Sequence, residues 1–398
     1  MMKTLQIHIN NRAQASAYLL LRSTTATGAR LTQPRGRHIS SHQQRAEYNL
    51  VFALTTSRKT SLMPNSSRKS LQRLRNSIPS VRYQKTPSAV RGRFSYSTTT
   101  TMPKEPIIHS IFETKTGTWQ YLIADPSTLS AVIIDPVLDY DPVTQVISTG
   151  TADSLLSIVS EGGYKVDRIL ETHAHADHLT AAFYLQNKIA RTQGHRPAIS
   201  IGKRIRQVQQ LFGKKYGVEA EEYEGVFDKL FDDNEEFNIG QLTATAIHLP
   251  GHTPDHLGYK IGDNVFCGDS IFHADIGTAR CDFPGGSAND LFASSHKILA
   301  MPDHVRIWTG HDYPPSDRDT PMAFMTVRDH KDQNKHLEKR IIEEDFIHLR
   351  QERDAKLGEP RLLHQSLQIN IRGGRLPKPT ELGHSFLHLP LKLKGLDW

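Results

Sequence analysis

Thr172-His173-Ala174-His175-Ala176-Asp177-His178 stands where a strand from Val166 to Glu171 ends and a helical pattern from about Leu179 to Ala190 begins. Residues two apart on extended backbone project to the same side, so His173 and His175 can converge on one point. Asp177 and His178 are expected to turn back from the first helical turn. Imidazoles and a carboxylate suit zinc or iron, and four such groups in six residues are costly neighbours without a cation. The plainer alternative is a solvated His-rich turn.

Three later segments repeat the pattern of a ligand-type residue just after a strand. Pro250-Gly251-His252-Thr253-Pro254 sets a histidine in a rigid turn, Gly268-Asp269-Ser270 follows an apolar strand, and Gly310-His311-Asp312-Tyr313 follows Val305 to Trp308. Each alone is ordinary turn chemistry; in this order, behind the histidine cluster, they form a specific set. Around them, Ile107 to Phe112, Trp119 to Ile123 and Ala131 to Ile134 read as an antiparallel meander, and Ser154 to Ser160 as a helix closed by Gly162-Gly163. Leu242 to Ile247, Leu257 to Ile261 and Asn264 to Cys267 read as strands, with helices near Asn289 to Leu299 and Val327 to Leu337. No internal repeat is visible. Two β-rich halves, each flanked by helices, predict an α/β fold of four layers, α/β/β/α, with loops at one sheet edge available for a site.

With these residues in place, the chain resembles the metallo-β-lactamase superfamily, whose pattern is a His-x-His-x-Asp-His cluster, a histidine, a bridging aspartate and a last histidine. Gly277-Thr-Ala-Arg280-Cys-Asp282-Phe-Pro-Gly-Gly286, His311-Asp-Tyr313 and Leu376-Pro-Lys-Pro379 narrow the likeness to the persulfide dioxygenases, nearest the longer bacterial-type members, over roughly Pro106 to Leu393. The resemblance implies one Fe(II) per chain, held by His173, His252 and Asp269, the two-histidine, one-carboxylate triad of non-haem iron. It implies glutathione persulfide and O2 as substrates, with sulfite and glutathione as products. His175, Asp177, His178 and His311 would then orient the ligands, or hold a second metal as in the related glyoxalase II, which hydrolyses glutathione thioesters with two Zn(II). The Arg280 to Phe283 segment, and the lack of a separate C-terminal helical domain, favour the dioxygenase. A non-catalytic member with a structural metal is a further alternative. Arg280 and Asp282 are candidates for a substrate-facing loop, Arg280 meeting a glutathione carboxylate and Asp282 bracing it. Tyr313 is a candidate hydroxyl donor, catalytic together with Arg280. His248, His256 and His273 are read as structural.

Composition divides the chain unevenly. Residues 1–103 hold 17 Lys and Arg against one acid, Glu47; they carry +16 of a total of +7, which leaves −9 for residues 104–398. An acidic catalytic domain excludes the nucleic-acid partner that the overall pI of about 9.2 would invite. The Arg- and Ser-rich first segment has the composition of a mitochondrial transit peptide, largely without structure, so the expected address is the mitochondrial matrix. A basic arm that stays attached, or a later start at Met63 or Met102, is the alternative. No apolar run is long enough to span a membrane, so no membrane partner is expected. Cys267 and Cys281 are too few for a disulfide framework, and Cys267 reads as a buried core residue. A homodimer is compatible with everything in the sequence.

Overall fold

The computed structural model describes residues 6–7 and 105–395. A hairpin of Ile107–Glu113 and Thr118–Ala124 opens the folded body and pairs antiparallel with Ser130–Ile134. The meander expected from the sequence is therefore present. The sheet continues in parallel through Lys165–Leu170, Ala198–Gly202 and Lys229–Phe231. A second sheet runs in the order Glu235–Ile239, Leu242–His248, Leu257–Ile261, Asn264–Phe266, Arg306–Trp308, Phe324–Thr326.

Period-two alternation explains why the sheets stack. Along Thr118–Ala124 every residue is buried, but Trp119, Tyr121 and Ile123 face the inter-sheet core whereas Leu122 and Ala124 face helices. Trp119, Tyr121 and Ile123 meet Tyr259, Phe266 and Trp308 of the second sheet. The outer layer over the first sheet comes from Gly150–Glu161, Ala182–Gln193 and Ile205–Tyr216 through Leu155, Leu185, Ile189 and Phe212. Over the second sheet, Leu291, Ile298, Val327 and Phe346 cover Ile247, Val265, Cys267 and Ile307. Three apolar layers between four layers of structure make the α/β/β/α sandwich.

Three expectations need correction. The helix after the histidine cluster is Ala182–Gln193, not Leu179–Ala190, because Leu179–Thr180 is a short strand paired with Val137–Leu138. Asp177 and His178 thus lie in a bend instead of a first helical turn: the Thr180 N–H donates to Asn370 Oδ1 at 2.9 Å and its hydroxyl bonds Glu171, which holds the backbone extended. The helix expected to reach Leu337 stops at Gln333 after starting from a Thr326–Asp329 capping box. Gln6–Ile7 pairs in parallel with Ser110-Ile111, whose strand offers an open edge to a short extended segment. The rest of residues 1–103 lies outside the described residues.

Candidate metal centre

The loops at one end of both sheets meet at a buried histidine cluster. His173 follows Lys165–Leu170 by three residues, and its ring is fixed from behind. The Thr172 N–H and hydroxyl donate to Asp135 at 2.7 and 2.8 Å, and Thr172 Oγ1 lies 2.9 Å from His173 Nδ1. With that hydroxyl proton committed to Asp135, Oγ1 accepts from Nδ1–H, and the lone pair of His173 sits on Nε2. His252 is oriented likewise: its Nδ1–H donates to the Arg280 carbonyl at 2.7 Å, leaving Nε2 for the centre. Asp269 Oδ2 lies 4.0 Å from His173 Nε2 and 3.6 Å from His252 Nε2. The three residues offer ligand atoms all within 4.8 Å of one another.

Close approach of three strand ends is what gathers them, and it depends on glycine. A Cβ on Gly268, which sits at φ +49°, would fall 2.7 Å from Thr172 Oγ1, and one on Gly310 would fall 2.5 Å from Asp269 Oδ1.

The remaining cluster residues fall into two carboxylate-clasped groups. His311 sits between Asp269 Oδ1 and Asp177 Oδ2, each 2.7 Å from a ring nitrogen. His175 Nε2 sits between Asp135 at 3.1 Å and Glu171 at 3.2 Å. Against the desolvation of full burial, these acids raise the affinity of both imidazoles for protons well above the ordinary histidine value. His173 goes the other way: burial, then the neighbouring His175, His256 and His252, push it well below that value, so it stays neutral. His178 is also lowered by burial, and its Nδ1–H donates to Asp177 Oδ2 at 3.1 Å.

The donors fit a metal ion. His173 Nε2, His175 Nδ1 and His178 Nε2 are buried with no hydrogen-bond partner. Unpaired ring nitrogens in a dry site are costly unless a cation takes their lone pairs. His175, Asp177 and His178 form a second group of convergent ligand atoms beside the first.

A cavity of about 390 Å³ opens above the centre, with Asp177, His252 and Asp269 at its floor and Phe272, Ile276, Ala279 and Tyr313 on its walls. An adjoining lobe of about 230 Å³ shares Ala176, His252, Arg280, Leu357 and Pro360 with it and adds Asp282 and Phe283. Tyr313 is half-exposed, and its ring lies parallel to that of His311 at 5.8 Å. Arg280 and Asp282 form a bidentate pair, and Arg280 Nη1 also donates to the Gly358 carbonyl at 2.9 Å. Its fork is therefore already engaged. Cys267 is buried and free, as a core residue should be.

Several residues of the centre escaped the sequence reading. His256, which the sequence marks only as structural, accepts the Asp269 N–H at Nε2 at 3.0 Å, and its ring stacks on His173 at 4.8 Å. His248, by contrast, bonds the Pro254 carbonyl at 3.2 Å and lies 3.9 Å from Asp233, and His273 pairs with Asp275 at 2.8 Å. Asp255 Oδ2 accepts the Ala174 N–H at 3.0 Å. Asn370, at the end of the helix Leu363–Asn370, donates to the carbonyls of His175 and His178 at 2.7 and 2.8 Å. Asp135 carried the signal used for the other ligands, a polar residue directly after an apolar strand. Asn370 carried none.

The profile of the metallo-β-lactamase superfamily matches residues 114–311. A β-lactamase hydrolase-like protein of Agrobacterium fabrum is 43% identical over 296 residues, 74% of this chain and 67% of that protein. Glyoxylase B2 of Dictyostelium discoideum is 41% identical over 282 residues, 70% of this chain and 94% of that one. The mitochondrial persulfide dioxygenase ETHE1 of Bos taurus is 25% identical over 277 residues, 69% and 91% of the two chains. Among solved structures, ETHE1 from Myxococcus xanthus superposes with a TM-score of 0.54 at 27% identity, covering 68% of this chain and all of that one.

Proposed function

The chain belongs to the metallo-β-lactamase superfamily, and from that premise we propose that it is an Fe(II)-dependent persulfide dioxygenase: glutathione persulfide, O2 and water give glutathione, sulfite and two protons. The observation that carries this reading is the pair of carboxylate clasps. The side chains that would complete a second metal site, His311 and His175, already bond Asp269, Asp177, Asp135 and Glu171. His173, His252 and Asp269 bring ligand atoms within 4.8 Å of one another, and His252 and Asp269 spend only Nδ1 and Oδ1 on hydrogen bonds, so His173 Nε2, His252 Nε2 and Asp269 Oδ2 stand ready as a set for one ion. The match to ETHE1 of Myxococcus xanthus along its whole length supports the same reading.

His173, His252 and Asp269 would hold the iron, which supplies open coordination positions and the one-electron chemistry that O2 requires. The protein's own part is to orient the ligands and line the site. Thr172 and the Arg280 carbonyl fix both imidazole tautomers, and His256 fixes the Asp269 backbone. Phe272, Ile276 and Ala279 give the cavity an apolar wall against which the persulfide would lie. His311, bridging Asp269 and Asp177, holds a proton at the edge of the cavity floor.

A second reading has its own support. The free Nδ1 of His175 and Nε2 of His178 suit a second ion, and two of the relatives at 41–43% identity are named a hydrolase-like protein and a glyoxylase. That reading is a dinuclear zinc hydrolase of glutathione thioesters. Metal analysis of anaerobically purified protein, with oxygen-electrode and sulfite assays on glutathione persulfide, decides between them. One iron and persulfide-dependent oxygen uptake are expected. Two zinc ions and rapid cleavage of lactoylglutathione would replace the dioxygenase with the hydrolase.

A further inference from the structure

The rim of the cavity carries a charge pattern that the centre below it does not use. Residues 104–398 are acidic, at −9, yet three acids near the mouth are already paired with cations. Asp282 bonds Arg280, Asp354 bonds Arg350, and Glu359 bonds Lys392 at 2.6 Å. Lys115, Arg353 and Arg361 line the same cavity as Asp269 and His252; none of the three forms a salt bridge among the described residues, although Lys115 lies near enough to Asp141 to stabilise its charge. Lys115 lies on the turn joining the first hairpin. Arg353 ends the helix Glu343–Asp354, and Arg361 follows it by eight residues. All three are exposed at the rim. Uncompensated cations at the mouth of a low-dielectric cleft concentrate small anions there, and a free guanidinium presents a planar fork that matches a carboxylate.

Arg280, the residue the sequence singles out for this task, is differently employed. Its Nε and Nη2 are taken by Asp282 and its Nη1 by the Gly358 carbonyl. It ties the loop after the metal aspartate to the Leu357–Pro360 wall shared by both lobes.

We propose that Arg353 and Arg361, together with Lys115, recognise the carboxylates of a small acidic thiol peptide, and that Arg280 is a positioning residue for the cavity wall. This rests on the reading that the substrate is the persulfide of such a peptide. A cavity of about 390 Å³ is of the size that holds a ligand of that class.

The test uses the full-length, iron-loaded protein with R353Q, R361Q and R280Q variants and two substrates, glutathione persulfide and the persulfide of glutathione diethyl ester. R353Q and R361Q should each raise KM for the acid about tenfold at low salt with kcat unchanged, the usual scale for a lost charged contact. On the ester, which has no carboxylates, both variants should match the wild type. R280Q should shift acid and ester alike. Calorimetry with glutathione itself, which needs no turnover, should show the same tenfold weakening in R353Q and R361Q. Unchanged KM and unchanged calorimetric affinity would overturn the assignment, as would variants that still prefer acid to ester by the wild-type factor. If the wild type takes up no oxygen yet binds glutathione, and the arginine variants lose that binding, the dioxygenase reading falls and the rim assignment stands.

Discussion

Asp269 bears on more of the centre than any other side chain. One oxygen faces His173 and His252, the other bonds His311, and its N–H donates to His256. It is also the sole anion of the triad, so Asp269→Asn, which keeps the shape and removes the charge, should leave the protein folded and nearly metal-free. Plasma-emission analysis after anaerobic reconstitution reads this directly; retention of a full equivalent of metal would show that the charge is not what binds it. His175→Ala should be milder, about 10- to 100-fold in affinity or turnover, as expected of a group that orients ligands from behind. Equal loss in the two variants would move His175 into the ligand set and favour two metals.

At the scale of elements, the C-terminal helix Leu363–Asn370 is a clamp on the metal loop. Asn370 makes three hydrogen bonds to backbone groups of His175, His178 and Thr180, all buried. Asn370→Ala strands those groups without partners, so it should cost about 3 kcal/mol in urea unfolding and lower metal occupancy. A cost under roughly 1 kcal/mol would mean that water replaces the amide. The helix Val327–Gln333 and the turn after it contain a pH-dependent feature. Burial lowers His330 to about 4 and His336 to about 3, and each accepts an N–H at Nδ1, from Asn334 and Thr278. The unfolded chain takes up these protons near pH 6.5, whereas the folded chain refuses them until about pH 4 for His330. Stability is therefore full above pH 6.5 and falls as pH drops toward 4. His330→Gln should flatten the difference in unfolding free energy between pH 7 and pH 5 by about 2 kcal/mol; an unaltered pH slope would sink this account. The same elements mark what the sequence made legible. Strands of the first meander and all seven ligand-type residues were readable because alternation and strand-end placement are local signals. Asn370 was not, because its partners lie 195 and 192 residues away. The late start of the helix after His178 was not either, since it is set by Thr180 bonds to Asn370 and Glu171, and apolar periodicity does not report them.

At the scale of the whole molecule, residues 104–398 at −9 follow a basic segment, residues 1–103, at +16. We propose that residues 1–101 direct the chain to mitochondria, as an Arg-rich, acid-poor composition does. A fluorescent protein fused behind Met1 to Thr101 should colocalise with a matrix marker, and diffuse cytosolic fluorescence would refute the address. Residues 63–101 alone should suffice if translation starts at Met63. The layout of the ligands adds a consequence of its own. His173 leaves the first sheet, whereas His252 and Asp269 leave the second, 79 and 96 residues further along. An unfolded chain has no place for a metal, and the centre comes into being only once the two sheets have stacked. Which ion the protein carries is thus decided late, by the metal inventory of whatever compartment the chain finishes folding in, and expression in a zinc-rich host cytosol can install an ion that its native compartment would not.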